Sequence, residues 1–160
     1  MTHASDAPAK EIEALLARLC ACWDRVDLGA IRALWDEREP EPYLLPQEVA
    51  HPIIGWDAFD AHWQAAAARL KRASMRVWDV HVKSIAPDVA VALYQFHWNG
   101  DIDGFTHLVG ISSRATAIFR RTPKGWKFIH YVEAQTAPLM HLQRYYDQNV
   151  DPGFKEGQAN

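Results

Sequence analysis

The chain has 160 residues, 49% of them apolar and 23% charged, with a formal net charge of −3 at pH 7. That length suits one domain with a substantial core, and the mild acidity without basic runs argues against a nucleic-acid partner. No apolar run approaches the roughly 20 residues of a membrane span, and MTHASDAPAKE at the start has no signal-peptide pattern, so a cytoplasmic protein without membrane contact is expected. Ile12, Leu15, Leu16, Leu19, Trp23 and Val26 recur at helical spacing and predict a helix over residues 9–26. Cys20 and Cys22 within it point in different directions and are read as reduced. Asp27-Leu28-Gly29 breaks the helix, which resumes over 30–35. Tyr43-Leu44-Leu45 is a short strand, residues 47–54 hold another, and a further helix covers 56–72.

From Met75 onward the pattern changes to strands. Residues 75–85 alternate, with Trp78, Val80 and Val82 on one side and Asp79, His81 and Lys83 on the other. Pro87-Asp88 turns the chain into a strand over 89–98, where Tyr94, Phe96 and Trp98 share a face; residues 99–104 read as a loop. The run 105–119 is long for one strand, and Gly110 with Ser112-Ser113 suggests a bulge or bend there. Residues 138–147 read as a short helix, with a tail after Pro152.

The stretch RATAIFRRTPKGWKFIHYVEAQTA, residues 114–137, is a β-hairpin split by Thr122-Pro123-Lys124-Gly125. Alternation puts Arg114, Thr116 and Ile118 with Ile129, Tyr131 and Glu133 on one face. The other face takes Ala115, Ala117 and Phe119 with Trp126, Phe128, His130 and Val132. Helices followed by meandering strands make an α+β layout, a curved antiparallel sheet wrapped around the N-terminal helices with a cone-shaped cavity between them. One domain is expected over 1–160, with its core at about 9–136 and a C-terminal helical extension over 138–160.

With Asp27-Leu-Gly-Ala-Ile-Arg-Ala-Leu-Trp35, Gly55-Trp56-Asp57, Arg114-Ala-Thr-Ala-Ile-Phe-Arg-Arg121 and Gly125-Trp-Lys-Phe-Ile-His130, the chain resembles the nuclear-transport-factor-two-like, or SnoaL-like, α+β cones. The resemblance covers roughly residues 9–136. That fold hosts isomerases, cyclases, dehydratases, hydrolases and structural dimerisation modules, so the function must come from the site. The ligand-binding members imply an inward set of Tyr94, Phe96, Trp98, Arg114, Thr116, Ile118, Ile129, Tyr131 and Glu133. Trp23, Phe59, His62 and Trp63 would close the cone from the helical side, with Tyr43 and Leu45 at a rim. The ending HYVEA…APL…RYYD…VDP resembles bacterial cofactor-independent lyases that release formaldehyde from lignin-derived diarylpropane diols.

The expected catalytic set is Arg114, Glu133 and Tyr131, with Tyr94 and His62 nearby, and the substrate a small hydrophobic, aromatic molecule. A carboxylate against apolar walls has a raised pKa unless a cation such as Arg114 compensates, and it then serves as general acid or base. Tyrosine hydroxyls donate to a developing oxyanion. The set needs no cofactor, and the dispersed histidines give no metal-ligand spacing. Other readings stand beside this one. Arg114–Glu133 reads equally as a cross-strand ion pair without chemistry. Trp126, Phe128, His130 and Val132 read as the outer contact of a homo-oligomer, a dimer or trimer, so the chain is also readable as a non-catalytic binding or dimerisation module. An isomerase, cyclase or epoxide hydrolase ranks below these, because no water-activating carboxylate pair with a matching Arg is evident.

Overall fold

The computed structural model describes residues 6–136 and 139–150, apart from the side chains at 6, 139–142 and 145. Helix α1 (Asp6–Asp24) buries Ile12, Leu15, Leu16, Leu19 and Cys22 along one stripe. It starts three residues ahead of the expected Ala9. Val26, with φ of 53°, leaves the helical path, and the Asp27 side chain caps α2 (Leu28–Arg32) by accepting from the Ala30 amide at 2.8 Å. Both cysteines are free thiols. Helix α3 (Trp56–Ala67) follows Gly55, whose φ of 81° suits only a residue without Cβ.

Helix α3 is shorter than its apolar pattern suggests. The chain turns at Ala68-Arg69, and Leu70 and Arg72 pair with Ile102 and Asp101. The hairpin of β3 (Leu70–Ala86) and β4 (Val89–Ile102) therefore extends through the expected loop at Asn99. Strand β5 (Val109–Thr122) starts later than Phe105, and β6 is Gly125–Gln135. With β1 (Tyr43–Leu45) and β2 (Ile53–Ile54), the described sheet has the order β2-β1-β6-β5-β4-β3. Among the described strands only β1 and β6 pair in parallel, and Trp35 and Phe128 form an isolated parallel bridge. The fold is α+β, a curved open sheet with α1 packed chiefly on β3. Helix α4 spans Leu139–Gln148; residues 138 and 151–160 of the expected extension lie outside the described residues.

Two bulges decide which side chains face the helices. In β3 the pairing slips between Trp78 and His81, and Asp79 takes φ of 55°. Ala73, Met75 and Val77 face in before the slip and Val80 and Val82 after it. Trp78 therefore points outward, 40% exposed, rather than sharing the face of Val80 and Val82. In the hairpin, Ile118 pairs with His130 but Phe119 with Phe128, so Ile129 is an extra residue. No register shift occurs at Gly110 or Ser112-Ser113, where the bend was expected.

The core follows this register. Ala90, Ala92, Ala115 and Ala117 form a floor of small side chains, and Tyr94, Phe96, Phe119, Trp126 and Phe128 stand around it. Trp126 and Phe128, which strict alternation puts at an outer contact, are instead core residues at 2% exposure. At the narrow end, Trp35 lies against Phe59 and stacks on Phe128. Buried Asp36 there accepts from Arg38 Nε at 3.0 Å and Arg120 Nη1 at 3.3 Å.

Candidate functional site

Past the Ile129 bulge, β6 turns Tyr131 and then Glu133 toward the interior, onto the side that already holds Phe128. Glu133 pairs with Ala115, which pairs with Tyr94, so one cross-strand row sets Glu133 and Tyr94 on either side of a methyl group. Tyr131 Oη donates to Glu133 Oε1 at 2.7 Å, and the Gln47 amide donates to Oε2 at 3.2 Å. Both carboxylate oxygens thus accept a hydrogen bond, an arrangement suited to the ionised form.

Burial nevertheless pushes the Glu133 carboxyl up to about 7. The bonds from Tyr131 and Gln47 pull it down, and the nearby Glu48 carboxylate adds to the rise. Its charged neighbour is another acid, not a cation. Tyr131 and Tyr94 are both raised well above the ordinary phenol value, first by burial and then by their negative or phenolic neighbours. The Tyr94 hydroxyl lies near enough to feel Tyr131 and Glu133, yet closes no hydrogen bond of good geometry.

A series of neighbouring residues leads away from Glu133 and returns to it along β4. Its neighbours Gln47 and Glu48 lead to His62, 4.0 Å from Glu48. The His62 ring lies edge-on to Trp63, 5.3 Å between centroids. Trp63 leans on Trp23 at 5.6 Å, and Trp23 meets Trp98 edge-on at 5.7 Å. Trp98, Phe96 and Tyr94 then alternate inward along β4 back to the carboxylate row. Phe59, fully buried, backs Trp63 from the core. Several buried polar atoms on or beside this ring have no partner among the described residues: Gln47 Oε1, Trp63 Nε1, Tyr94 Oη, Trp98 Nε1 and Ser113 Oγ. Trp126 Nε1 is likewise unpartnered but sits at the far, hairpin end of the sheet.

The sequence-predicted residues divide accordingly. Tyr94, Phe96, Trp98, Tyr131, Glu133, Trp23, Phe59, His62 and Trp63 meet in this region. Arg114, Thr116 and Ile118 do not: on β5 the inward residues are Ser113, Ala115, Ala117 and Phe119, and Arg114 is exposed on the other face, reaching only the Gln135 carbonyl at 3.3 Å. The expected Arg114–Glu133 pair is therefore not formed. Ile129 is the bulge residue, out of phase with Tyr131 and Glu133. Tyr43 and Leu45 flank the inward Leu44 on the outer side, where Tyr43 meets His130 at 5.7 Å. His62 approaches Glu48 rather than Glu133, and burial lowers its pKa. Two shallow hollows of about 280 and 390 Å³ are lined by Arg76–Trp78 and by Arg72, Ser74, Asn99, Asp101, Leu108 and their neighbours; neither touches Glu133. Gln47, Glu48 and Ser113 are not among the site residues expected from sequence. The first two lie in the loop between β1 and β2, because the strand expected within 47–54 is confined to Ile53–Ile54, and Ser113 stands in the phase opposite to the one chosen for β5. Among the described residues, no group of three or more His, Cys, Asp or Glu is placed to hold a metal, and no helix is long and apolar enough to cross a membrane.

The model of the SnoaL-like domain matches residues 12–138. The chain belongs to the SnoaL-like domain family. No curated protein sequence matches it. Solved structures show the same SnoaL-like cone at low identity. A candidate aromatic ring hydroxylase from Novosphingobium aromaticivorans is 19% identical with a TM-score of 0.74, over 85% of this chain and 94% of that one. A candidate dehydratase of the NTF2-like family from Streptomyces avermitilis is 19% identical with a TM-score of 0.70, over 84% and 100%. A candidate scytalone dehydratase from Novosphingobium aromaticivorans is 13% identical with a TM-score of 0.70, over 82% and 85%. At these identities the likeness carries the SnoaL-like fold and no reaction.

Proposed function

We propose that this chain is a cofactor-independent lyase acting by acid–base chemistry on a small hydrophobic aromatic molecule. Glu133 is the proton acceptor, Tyr131 orients it, and Tyr94 donates to oxygen. One observation carries this reading: a carboxyl raised to about 7, hydrogen-bonded to Tyr131 at 2.7 Å and bordered by aromatic rings. A base with that pKa is largely ionised just above neutrality and still basic enough to take a proton efficiently. The unpartnered Tyr94 hydroxyl is free to stabilise negative charge that develops on a substrate oxygen.

The C-terminal likeness to diarylpropane lyases supports a lignin-derived diarylpropane diol as the substrate. In that reaction Glu133 takes the proton of the terminal hydroxymethyl group. The C–C bond breaks to release formaldehyde, its electron pair forms the stilbene double bond, and the benzylic hydroxyl leaves as water on accepting a proton from the Tyr94 hydroxyl, which the proton taken up by Glu133 then replaces. Atoms and charge balance without an external oxidant. The test is formaldehyde release from a 1,3-diol of this type at pH 8. Glu133→Gln is expected to lower kcat by about a hundredfold or more while the fold persists. Undiminished turnover by Glu133→Gln would overturn the assignment.

A further inference from the structure

We infer that the indole N–H groups of Trp63 and Trp98 are paired hydrogen-bond donors for the oxygen of an uncharged aromatic ligand. This rests on the reading of the Glu133 region as a small-molecule site and specifies how that site recognises its occupant. Both indole nitrogens are buried and unpartnered. An indole nitrogen is a donor only, so each needs an acceptor, and leaving it unmet costs more than an ordinary hydrogen bond returns. Trp23 touches both rings, at 5.6 and 5.7 Å between centroids, so the two tryptophans belong to one aromatic cluster.

Trp98 is held in place by an unusual neighbour. A Cβ on Gly100 would fall 2.2 Å from Trp98 Cη2 and 2.6 Å from Cζ3, so the indole lies directly over the Gly100 backbone. Only glycine leaves that space. The ring is thus fixed by its backbone seat rather than by a hydrogen bond, and its N–H remains free for a ligand.

The charge pattern selects the acceptor. Glu133 has a second carboxylate, Glu48, as its charged neighbour, and Arg114 faces away. A ligand carboxylate would enter beside the largely buried Glu133 with Arg114 turned away and with burial disfavouring the charged form of His62, which is unfavourable in a low-dielectric site. The donors on offer, the two indoles with Tyr94 and Ser113, instead match ketone, ether or hydroxyl oxygens.

The test is a ligand-observed fluorine NMR titration with three probes of similar shape: 4-fluoroacetophenone, 4-fluoroethylbenzene and 4-fluorobenzoate, at pH 8. The ketone is expected to bind about tenfold more tightly than the hydrocarbon, and the benzoate not measurably. Trp98→Phe and Trp63→Phe keep a ring and remove the donor, so each is expected to weaken the ketone about tenfold and leave the hydrocarbon within twofold. Equal losses for ketone and hydrocarbon would assign the tryptophans a packing role only and overturn this inference, leaving the lyase reading intact. Benzoate binding as well as the ketone would overturn the charge argument. Binding of none of the three would remove the aromatic site itself, and with it the reading on which this inference stands.

Discussion

Tyr131 Oη lies 2.7 Å from Glu133 Oε1, two residues apart on the same strand and both turned to the interior. Same-face neighbours at that spacing ordinarily stand nearly 7 Å apart at their Cα atoms, within reach of a long side chain. The bond therefore needs no loop or second element to form it. Burial raises the carboxyl and the tyrosine hydroxyl holds it down, so Tyr131→Phe is expected to move the Glu133 pKa above its present value of about 7. Carbon-detected NMR titration of side-chain-labelled glutamate reads this directly. A Glu133 titration that stays put or falls would mean the hydroxyl does not act on the carboxylate.

The same shift couples to stability. The folded carboxyl titrates near 7 and the unfolded one near its ordinary 4.5, so the folded chain binds more protons between those values. Its contribution is fully present below about pH 4.5 and is lost as pH rises through about 7. The loss is on the order of 3 kcal/mol at most, at about 1.4 kcal/mol per unit. Urea unfolding at pH 5 and pH 8 is expected to show this fall in the wild type. Glu133→Gln, which carries no charge at either pH, should show a much smaller one. A slope that survives the substitution would locate the pH dependence elsewhere.

Much of the fold was legible because its signals are local. The helical stripe from Ile12 to Leu19, the Pro-Lys-Gly turn and the Tyr94-Phe96-Trp98 alternation each depend on a few adjacent residues, and each stands where the pattern put it. The faces of the hairpin were not legible in the same way. Strict alternation placed Tyr131 and Glu133 with Arg114, Thr116 and Ile118, whereas one inserted residue, Ile129, puts them with Ala115, Ala117 and Phe128. A bulge leaves no mark in composition, and a one-residue slip moves every later side chain to the opposite face. The interior position of the Tyr-Glu pair was thus expected together with the wrong partners on β5. The Gln47 contact was invisible for a different reason: it joins residues 86 positions apart through a loop amide, which any residue but proline provides.

That dependence on one residue makes the bulge testable. Deleting Ile129 restores strict alternation and would turn Tyr131 and Glu133 to the outer face, removing Tyr131 from its place against Phe128. The expected cost is about 3 kcal/mol or more, the range for losing a large buried aromatic. Urea denaturation gives the number. A deletion variant within about 1 kcal/mol of the wild type would mean that the strand re-registers without penalty and that the bulge does not set the site.

The narrow end supplies an acid-side counterpart. Burial alone would raise the Asp36 carboxyl, but hydrogen bonds from Arg38 and then Arg120 outweigh it and hold it below the usual carboxylate range. Arg120 also meets Glu39 at 2.7 Å, and the Trp56 indole donates to the Glu39 carbonyl at 2.7 Å, so β5, the loop after α2 and the start of α3 are tied at one point. A depressed carboxyl stabilises above its unfolded pKa and loses that contribution as pH falls through the folded value. Asp36→Asn keeps the shape and removes the charge, leaving Arg120 with Glu39 alone. It is expected to cost about 1–3 kcal/mol at pH 7, because Asp36 is buried although Arg38 is largely exposed. The gap from wild type should close as both are taken into acid. Thermal unfolding of the two proteins at pH 7 and pH 3 checks this, and an equal deficit at both would show that the Asp36 side chain acts by its shape rather than by its charge.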